Sequence, residues 1–453
     1  MSKLNCLREY YRIPEALNQA EIDGILQNGE GFFRLSDGVY CFGSLTSGSV
    51  GSTPLQAGDY SETLIRVCQD AIVLSFDPDQ AIENLLSEKY VGVSTINPLK
   101  RAVRVAYYLL RPLMGVSLRR RLQRISLRGW NEIPFPSWPV DTTVDDIMRL
   151  LLKSVLRASG KESIPFIWFW PRGYRSCVTV THDVESRDGL NYCNELMNVD
   201  DSFAVKSSFQ LIPEGRYQIS ESQLRMFRDR GFEVNVHDLN HDGHLFDDES
   251  TFLRRVKHIN RYGAAFGTRG FRAGVLYRKQ EWFSALEFSY DMSVPNVAHL
   301  DPQKGGCCSV FPYSIGRLIE LPLTTIQDYS LFNILEHYST DIWREQCRMI
   351  SDRCGLMSFN VHPDYVRDQQ SLSVYHDLLT YVRDELVGGA QSWLALPGHV
   401  ADWWRIRNAL SVEVVDGKHQ IVGEGRDIAM LAFAHLDNGE LVFSFDDFIS
   451  SGG

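Results

Sequence analysis

Residues 164–398 are punctuated by short, largely apolar runs: CVTVT (177–181), VKSSFQLI (205–212), FEVNV (232–236) and LMSFNV (356–361). Helix-patterned segments such as SESQLRMFRDRG (220–231) lie between them. Short apolar runs read as strands buried on both faces, and strands that alternate with helices assemble into a largely parallel sheet or barrel. The spacing therefore predicts an α/β body for this part of the chain. In parallel α/β barrels the functional groups gather at the carboxyl ends of the strands.

The flanks have other textures. Residues 1–163 mix strand and helix signals and predict an α+β domain. FFRLSDGVYCFG (32–43) reads as a hairpin turning at Asp37-Gly38, and LTSGSVGS (45–52) as a flexible loop. NEIPFPSWPVD (131–141) reads as an extended connector. Thr142 and Thr143 offer N-caps to a helix whose apolar stripe is Val144, Ile147, Met148, Leu151, Leu152, Val155 and Leu156. ASGKES (158–163) closes that helix and marks a boundary. Beyond about residue 399, VEVVDGKHQIV (412–422) and MLAFAHLDNGELVFSF (430–445) carry Asp-Gly and Asn-Gly turns between β-rich runs. They predict a small antiparallel appendage over 399–453.

The chain has 453 residues and a formal net charge of −11, which argues against a general nucleic-acid binder. Its nine cysteines are scattered and form no CxxC, so neither a disulfide framework nor a cysteine zinc site is expected. The opening residues lack an apolar leader core, and no run approaches the roughly 20 apolar residues of a membrane span. The expectation is a cytoplasmic protein. One segment is set apart: residues 101–128 are apolar and strongly basic, with Arg119-Arg120-Arg121, and are interrupted by Pro112. They read either as a helical pair with a solvated arginine face or as a peripheral contact to anionic lipid or an acidic partner.

Candidate chemistry clusters where the predicted strands end. His237 follows FEVNV and His241 comes four residues later, a spacing that puts both imidazoles on one side if the segment turns helically. Imidazole is a common ligand for divalent transition metals. His244, beyond an Asp242-Gly243 turn, has no predictable direction. Asp183 and Glu185 follow CVTVT and share a face if extended. His362 and Asp364 follow LMSFNV. Singly, each group reads as a solvated loop or surface residue. Their common placement on three strands is what joins them.

Five motifs then resemble, in order, those of the polysaccharide deacetylases that share the NodB homology domain (carbohydrate esterase family 4-like): THDVE (181–185), HDLNH (237–241), GFRAG (270–274), YDMSVPN (290–296) and NVHPD (360–364). The resemblance spans residues 165–395. It implies an irregular (β/α) barrel, one divalent metal ion (zinc first, then cobalt, nickel or manganese) and a hydrolase acting on non-peptide C–N bonds. The substrate implied is a saccharide that loses N-acetyl or O-acetyl groups, as a polysaccharide or its cytoplasmic or lipid-linked precursor. By position it implies Glu185, His237 and His241 as metal ligands. Asp183 would be the base, Arg272 its partner, His362 the acid with Asp291 or Asp364 beside it, and Asp291 the fourth-motif aspartate. The first motif departs from the family's TFDDG, because Val184 stands in the second aspartate's place, so the roles of Asp183 and Glu185 are exchangeable. GFRAG lacks the family's proline. The competing expectation is a non-catalytic carbohydrate-binding or scaffold protein of polysaccharide assembly. SGSVG (47–51) lacks the first glycine of a serine-esterase elbow and reads as loop. Trp168, Trp170, Trp403 and Trp404 read as sugar platforms or, more usually, core packing.

Overall fold

The computed structural model describes residues 2–17, 19–35, 39–47, 64–68, 71–93 and 116–445. The amino-terminal region contributes β1 (Ser2–Lys3), β2 (Gln19–Ile22), β3 (Gly31–Arg34), β4 (Tyr40–Gly43), β5 (Ile65–Cys68) and β6 (Ala71–Leu74). β3 and β4 form the expected hairpin, while β1, β2, β6 and β5 make a four-stranded sheet. The Asp37-Gly38 turn, the SGSVG motif beyond Ser47 and residues 101–115 of the basic segment lie outside the described residues. The rest of that segment includes a helix, Val116–Ser126. It packs on residues 333–336: Arg124 pairs with Glu336 at 2.6 Å and donates to the Asn333 carbonyl at 3.1 Å.

The amphipathic helix forms at Thr143–Ser159 with its predicted stripe buried. Its start differs from expectation. Thr142 makes no side-chain cap, and its hydroxyl donates instead to Asp146 at 2.7 Å. β7 (Ser163–Ile167) stays out of the central sheet and pairs antiparallel with residues Leu431–Asp437 of the tail.

The central sheet begins with β8 (Cys177–Val184). It continues through β9 (Ser208–Leu211), β10 (Glu233–His237), β11 (Gly270–Arg272) and β12 (Tyr290–Asp291). β13 (Tyr313–Ile315) folds antiparallel onto β14 (Leu318–Glu320), which pairs with β12. β15 (Leu356–Asn360) then returns to the far side of β8, and β16 (Trp393–Leu394) pairs with the start of β8. Strands 8, 9, 10, 11, 12 and 14 therefore lie side by side, parallel, in chain order. A sheet laid down without reversal and rejoined to its first strand curls in one direction, as a β/α barrel wall does. Helices such as Arg187–Ser202, Glu249–Phe266 and Gln369–Tyr381 cover the outside with Leu196, Ile259 and Leu378 buried.

No ladder joins β14 to β15. At this seam the Thr324 hydroxyl donates to Leu356 O at 2.6 Å and accepts from Ser358 N at 2.9 Å, while Thr325 donates to Ser358 O at 2.8 Å. Side-chain hydroxyls thus replace strand pairing, which makes the barrel irregular. Thr324 is buried, so Thr324→Val would leave two backbone groups unsatisfied at nearly constant volume. The expected cost is about 1–3 kcal/mol by urea unfolding; an unchanged midpoint would mean that the hydroxyl does not hold the seam.

The tail adds β17 (Ser411–Val415), β18 (Lys418–Val422), β19 (Leu431–Asp437) and β20 (Glu440–Ser444), two hairpins turning at Asp416-Gly417 and Asn438-Gly439. The amino-terminal region meets the barrel through charge. Fully buried Arg278 is bonded to Glu88 of the amino-terminal region, and Glu88 also accepts from Gly306 N at 2.6 Å. No helix among the described residues is long and apolar enough to cross a membrane.

Candidate active site

The motif residues Asp183, Glu185, His237, His241, Arg272, Asp291, His362 and Asp364 stand at or near the carboxyl ends of barrel strands. β8 runs three residues beyond CVTVT, so Asp183 lies inside the strand and Glu185 directly after it. His237, Arg272 and Asp291 are the last residues of β10, β11 and β12. His237 is paired in register with Arg272, and Phe271 with Asp291. His362 lies two residues past β15.

His237 and His241 converge, with ring centroids 5.0 Å apart, but not through the helical turn their spacing suggests. Asp238 (φ 56°) and His241 (φ 54°) adopt left-handed backbone conformations and fold the loop back over the strand end. Gly274 makes room for this. A Cβ there would stand 2.5 Å from Asp238 Oδ2 and 2.9 Å from His241 Cδ2.

Glu185, His237 and His241 each offer a ligand atom, all within 4.8 Å of one another. His237 Nδ1 lies 3.1 Å from Arg272 O and must carry the proton it donates to that carbonyl, so Nε2 presents a lone pair. Nε2 is buried and has no hydrogen-bond partner among the described residues. His241 Nε2 is 3.1 Å from Glu185 Oε1 without hydrogen-bond alignment. Two donors each about 2.1 Å from one ion stand roughly 3.0–3.4 Å apart, so this separation fits a shared cation. A bond from the second ring nitrogen to a backbone carbonyl is the usual way a ligating histidine is oriented. The donor set therefore fits a divalent metal.

Around this trio the charges are arranged tightly. Asp183 Oδ1 accepts from Arg272 at 2.8 Å and Oδ2 from Asn360 at 2.9 Å. Arg272 is completely buried and also donates to Thr181 Oγ1 and to Met292 O. Burial alone would raise the Asp183 pKa, but Arg272, His237 and His362 outweigh it and hold the carboxyl well below the usual range. Glu185 is held low in the same way, with His241 outweighing burial. Burial keeps His237 below the ordinary imidazole value.

His362 approaches from the other side, with Nε2 3.9 Å from Asp183 Oδ2 and 3.8 Å from Glu185 Oε1. Its acid partner is neither Asp291 nor Asp364. Asp328, from the loop after β14, meets His362 Nδ1 at 2.6 Å and also accepts from the His362 backbone N–H at 2.7 Å. Burial opposes protonation, but Asp328 outweighs it and lifts His362 to about 10. Asp364 accepts instead from Glu185 N at 3.1 Å and from the Ser186 hydroxyl. Asp291 is fully buried, accepts from the backbone N–H and hydroxyl of Ser293, and is raised by burial beside Glu320.

Three contributors were not singled out in the sequence: Asp328, Asn360, which opens NVHPD, and Tyr365, whose hydroxyl donates to Glu185 Oε2 at 3.1 Å. Asn360 had a usable signal, a polar residue at the end of an apolar strand. His244 lies apart from the cluster, exposed and 2.7 Å from Asp247. The four tryptophans are buried in packing, with Trp170 donating to Cys354 O and Trp403 to Phe169 O.

No family sequence model matches the chain, and no curated protein matches it. Solved structures of polysaccharide deacetylases and related enzymes are similar to it. One, from Mycobacterium smegmatis and assigned as a polysaccharide deacetylase, is 18% identical with a TM-score of 0.39, covering 53% of this chain and 93% of that one. The allantoinase PuuE is 11% identical with a TM-score of 0.39, covering 52% and 92%. Peptidoglycan deacetylase PdaC from Bacillus subtilis is 11% identical with a TM-score of 0.31, covering 52% and 94%.

Proposed function

We propose that this chain is a divalent-metal-dependent hydrolase that removes N-acetyl or O-acetyl groups from a saccharide. One observation carries the reading: Glu185, His237 and His241 each offer a ligand atom within 4.8 Å of the others, and both imidazole Nε2 atoms are buried with no hydrogen-bond partner among the described residues. The five ordered motifs, which resemble those of polysaccharide deacetylases, supply the substrate class. Zinc suits two imidazoles and a carboxylate, as do cobalt, nickel and manganese.

Glu185 is the ligand of the two acids. Its Oε1 faces His241, whereas both oxygens of Asp183 are engaged by Arg272 and Asn360. A divalent ion held there supplies Lewis acidity to a carbonyl and to water. The other groups belong to the protein. Asp183, kept ionised and oriented by Arg272, takes a proton from the attacking water. His362, held protonated by Asp328, returns a proton to the leaving nitrogen or alkoxide. Asp291 stands behind Arg272 and touches neither the trio nor His362 by any hydrogen bond among the described residues.

The test is elemental analysis of purified protein, paired with acetate release from a panel of N-acetylated oligosaccharides. About one divalent ion per chain is expected, lost in His237→Ala/His241→Ala together with acetate release. No binding of zinc, cobalt, nickel or manganese sinks the hydrolase. Metal without acetate release moves the reading to a saccharide-binding scaffold.

A further inference from the structure

Asp183 is held from two sides. Arg272 donates to Oδ1, and the Asn360 amide nitrogen donates to Oδ2 at 2.9 Å. Oδ2 is also the oxygen that faces the trio, 3.9 Å from His237 Nε2. A carboxylate oxygen only accepts, so the amide must turn its nitrogen to Asp183. The second hydrogen of that nitrogen goes to Gln327 Oε1 at 3.2 Å. Gln327 in turn donates from its own nitrogen to Asp301 Oδ1 at 3.1 Å. Two amides in series, each of which could be reversed, are thus given one polarity by a carboxylate at each end. Asn360 Oδ1 is buried without a hydrogen-bond partner among the described residues, so the oxygen contributes nothing to that orientation.

The backbone behind Gln327 is pinned. Thr325 donates to Ser358 O on β15, and Ile326 N donates to Gln346 Oε1 at 3.0 Å. Trp343 donates to Ile326 O at 2.7 Å from the helix Asp341–Asp352, which also carries Gln346. The residue after Gln327 is Asp328, the partner of His362. Consecutive side chains therefore serve the two proton-transfer groups, one through Asn360 and one directly. At the other end, Asp301 lies in a loop that Gln303 clamps to the backbone N–H and carbonyl of Arg278, each at 3.0 Å. Glu88 holds the same loop through Gly306 N. The charges facing Asp301 are Arg278, Lys304 and Glu88; burial lifts it to about 6 against the two cations.

We propose that Gln327, anchored by Asp301, is a positioning residue for the base: it holds the Asn360 amide so that Asp183 keeps Oδ2 turned toward the attacking water. The proposal rests on the hydrolase reading given above. It also gives the amino-terminal region a part in the reaction, since Glu88 holds the loop that carries Asp301.

The full-length, metal-loaded protein is assayed for acetate release as wild type, Gln327→Met, Asn360→Leu, the Gln327→Met/Asn360→Leu double variant and Asp301→Asn, with metal content measured for each. Gln327→Met should lower kcat by about ten- to hundredfold with KM and metal content unchanged. In the double variant it should cost less than about twofold beyond Asn360→Leu alone, because it acts only through that amide. Dividing the wild-type pH profile by that of Asp301→Asn cancels the titrations the two chains share. The ratio should fall toward one as pH drops through about 6, where a neutral acid no longer fixes the polarity of the two amides. A purely structural role moves neither the cycle nor the ratio. Should Gln327→Met fail to fold, Asp301→Asn, which keeps every side-chain shape, carries the test. Urea unfolding of the single and double variants without metal gives the coupling of Gln327 and Asn360 apart from catalysis. Additive losses of activity, an unchanged kcat in Gln327→Met, or a ratio flat in pH overturns the proposal and leaves the hydrolase standing. Coupling in urea without acetate release from the wild type overturns both readings and leaves only the hydrogen bonds.

Discussion

His362→Ala is expected to lower acetate release from an N-acetylated sugar by about 10²–10⁴-fold while metal content stays at the wild-type level. The side chain touches no ligand atom at bonding distance: its Nε2 is 3.8 Å from Glu185 Oε1. Its role is to give a proton to a poor leaving group, so the loss should depend on that group. An activated ester such as p-nitrophenyl acetate departs without protonation and should be hydrolysed with a much smaller loss. Equal losses on both substrates, or loss of metal, would show that His362 supports the site structurally and does not act as its acid.

Arg272→Met is expected to destabilise the metal-free protein by about 3–5 kcal/mol, because it leaves the buried Asp183 carboxylate without its partner. The methionine fills similar volume, which separates charge from packing. Urea unfolding measures the loss. Adding Asp183→Asn in the same chain should restore part of it, since the stranded charge is then gone. The sign of the pH dependence follows from the depressed Asp183 pKa. Its contribution is full above the unfolded value of about 3.9 and is lost as pH falls through the folded value, so the gap between wild type and Arg272→Met should narrow in acid. A gap that is small at neutral pH, or that widens in acid, would mean Asp183 does not depend on the arginine.

What could be seen in the sequence followed from strand length. β8, β10 and β15 are five to eight residues long and largely apolar, so their ends, and with them Asp183, Glu185, His237 and His362, stood out. β11, β12 and β14 have two or three residues each, too few for any periodicity, and their register comes only from neighbouring strands. That is why Asp328 was invisible. It follows a three-residue strand in a loop with no spacing rule, and only the folded chain brings it to His362. The motif order recovered Arg272, which strand reasoning alone had no ground to choose. The convergence of His237 and His241 was anticipated for the wrong local reason, since two left-handed residues and the space above Gly274 achieve it rather than a helical turn.

The bond between Arg278 and Glu88 ties the barrel to a distant part of the chain. The guanidinium is fully buried in the loop after β11, and its carboxylate comes from nearly two hundred residues upstream. A barrel excised at its own first strand would lose the carboxylate that takes two of the guanidinium's three hydrogen bonds, leaving it the Leu276 carbonyl. Shuffling the upstream region for an unrelated one would do the same. The two parts are therefore expected to stand or fall together, and loss of the Glu88 carboxylate to be felt in the barrel's own stability.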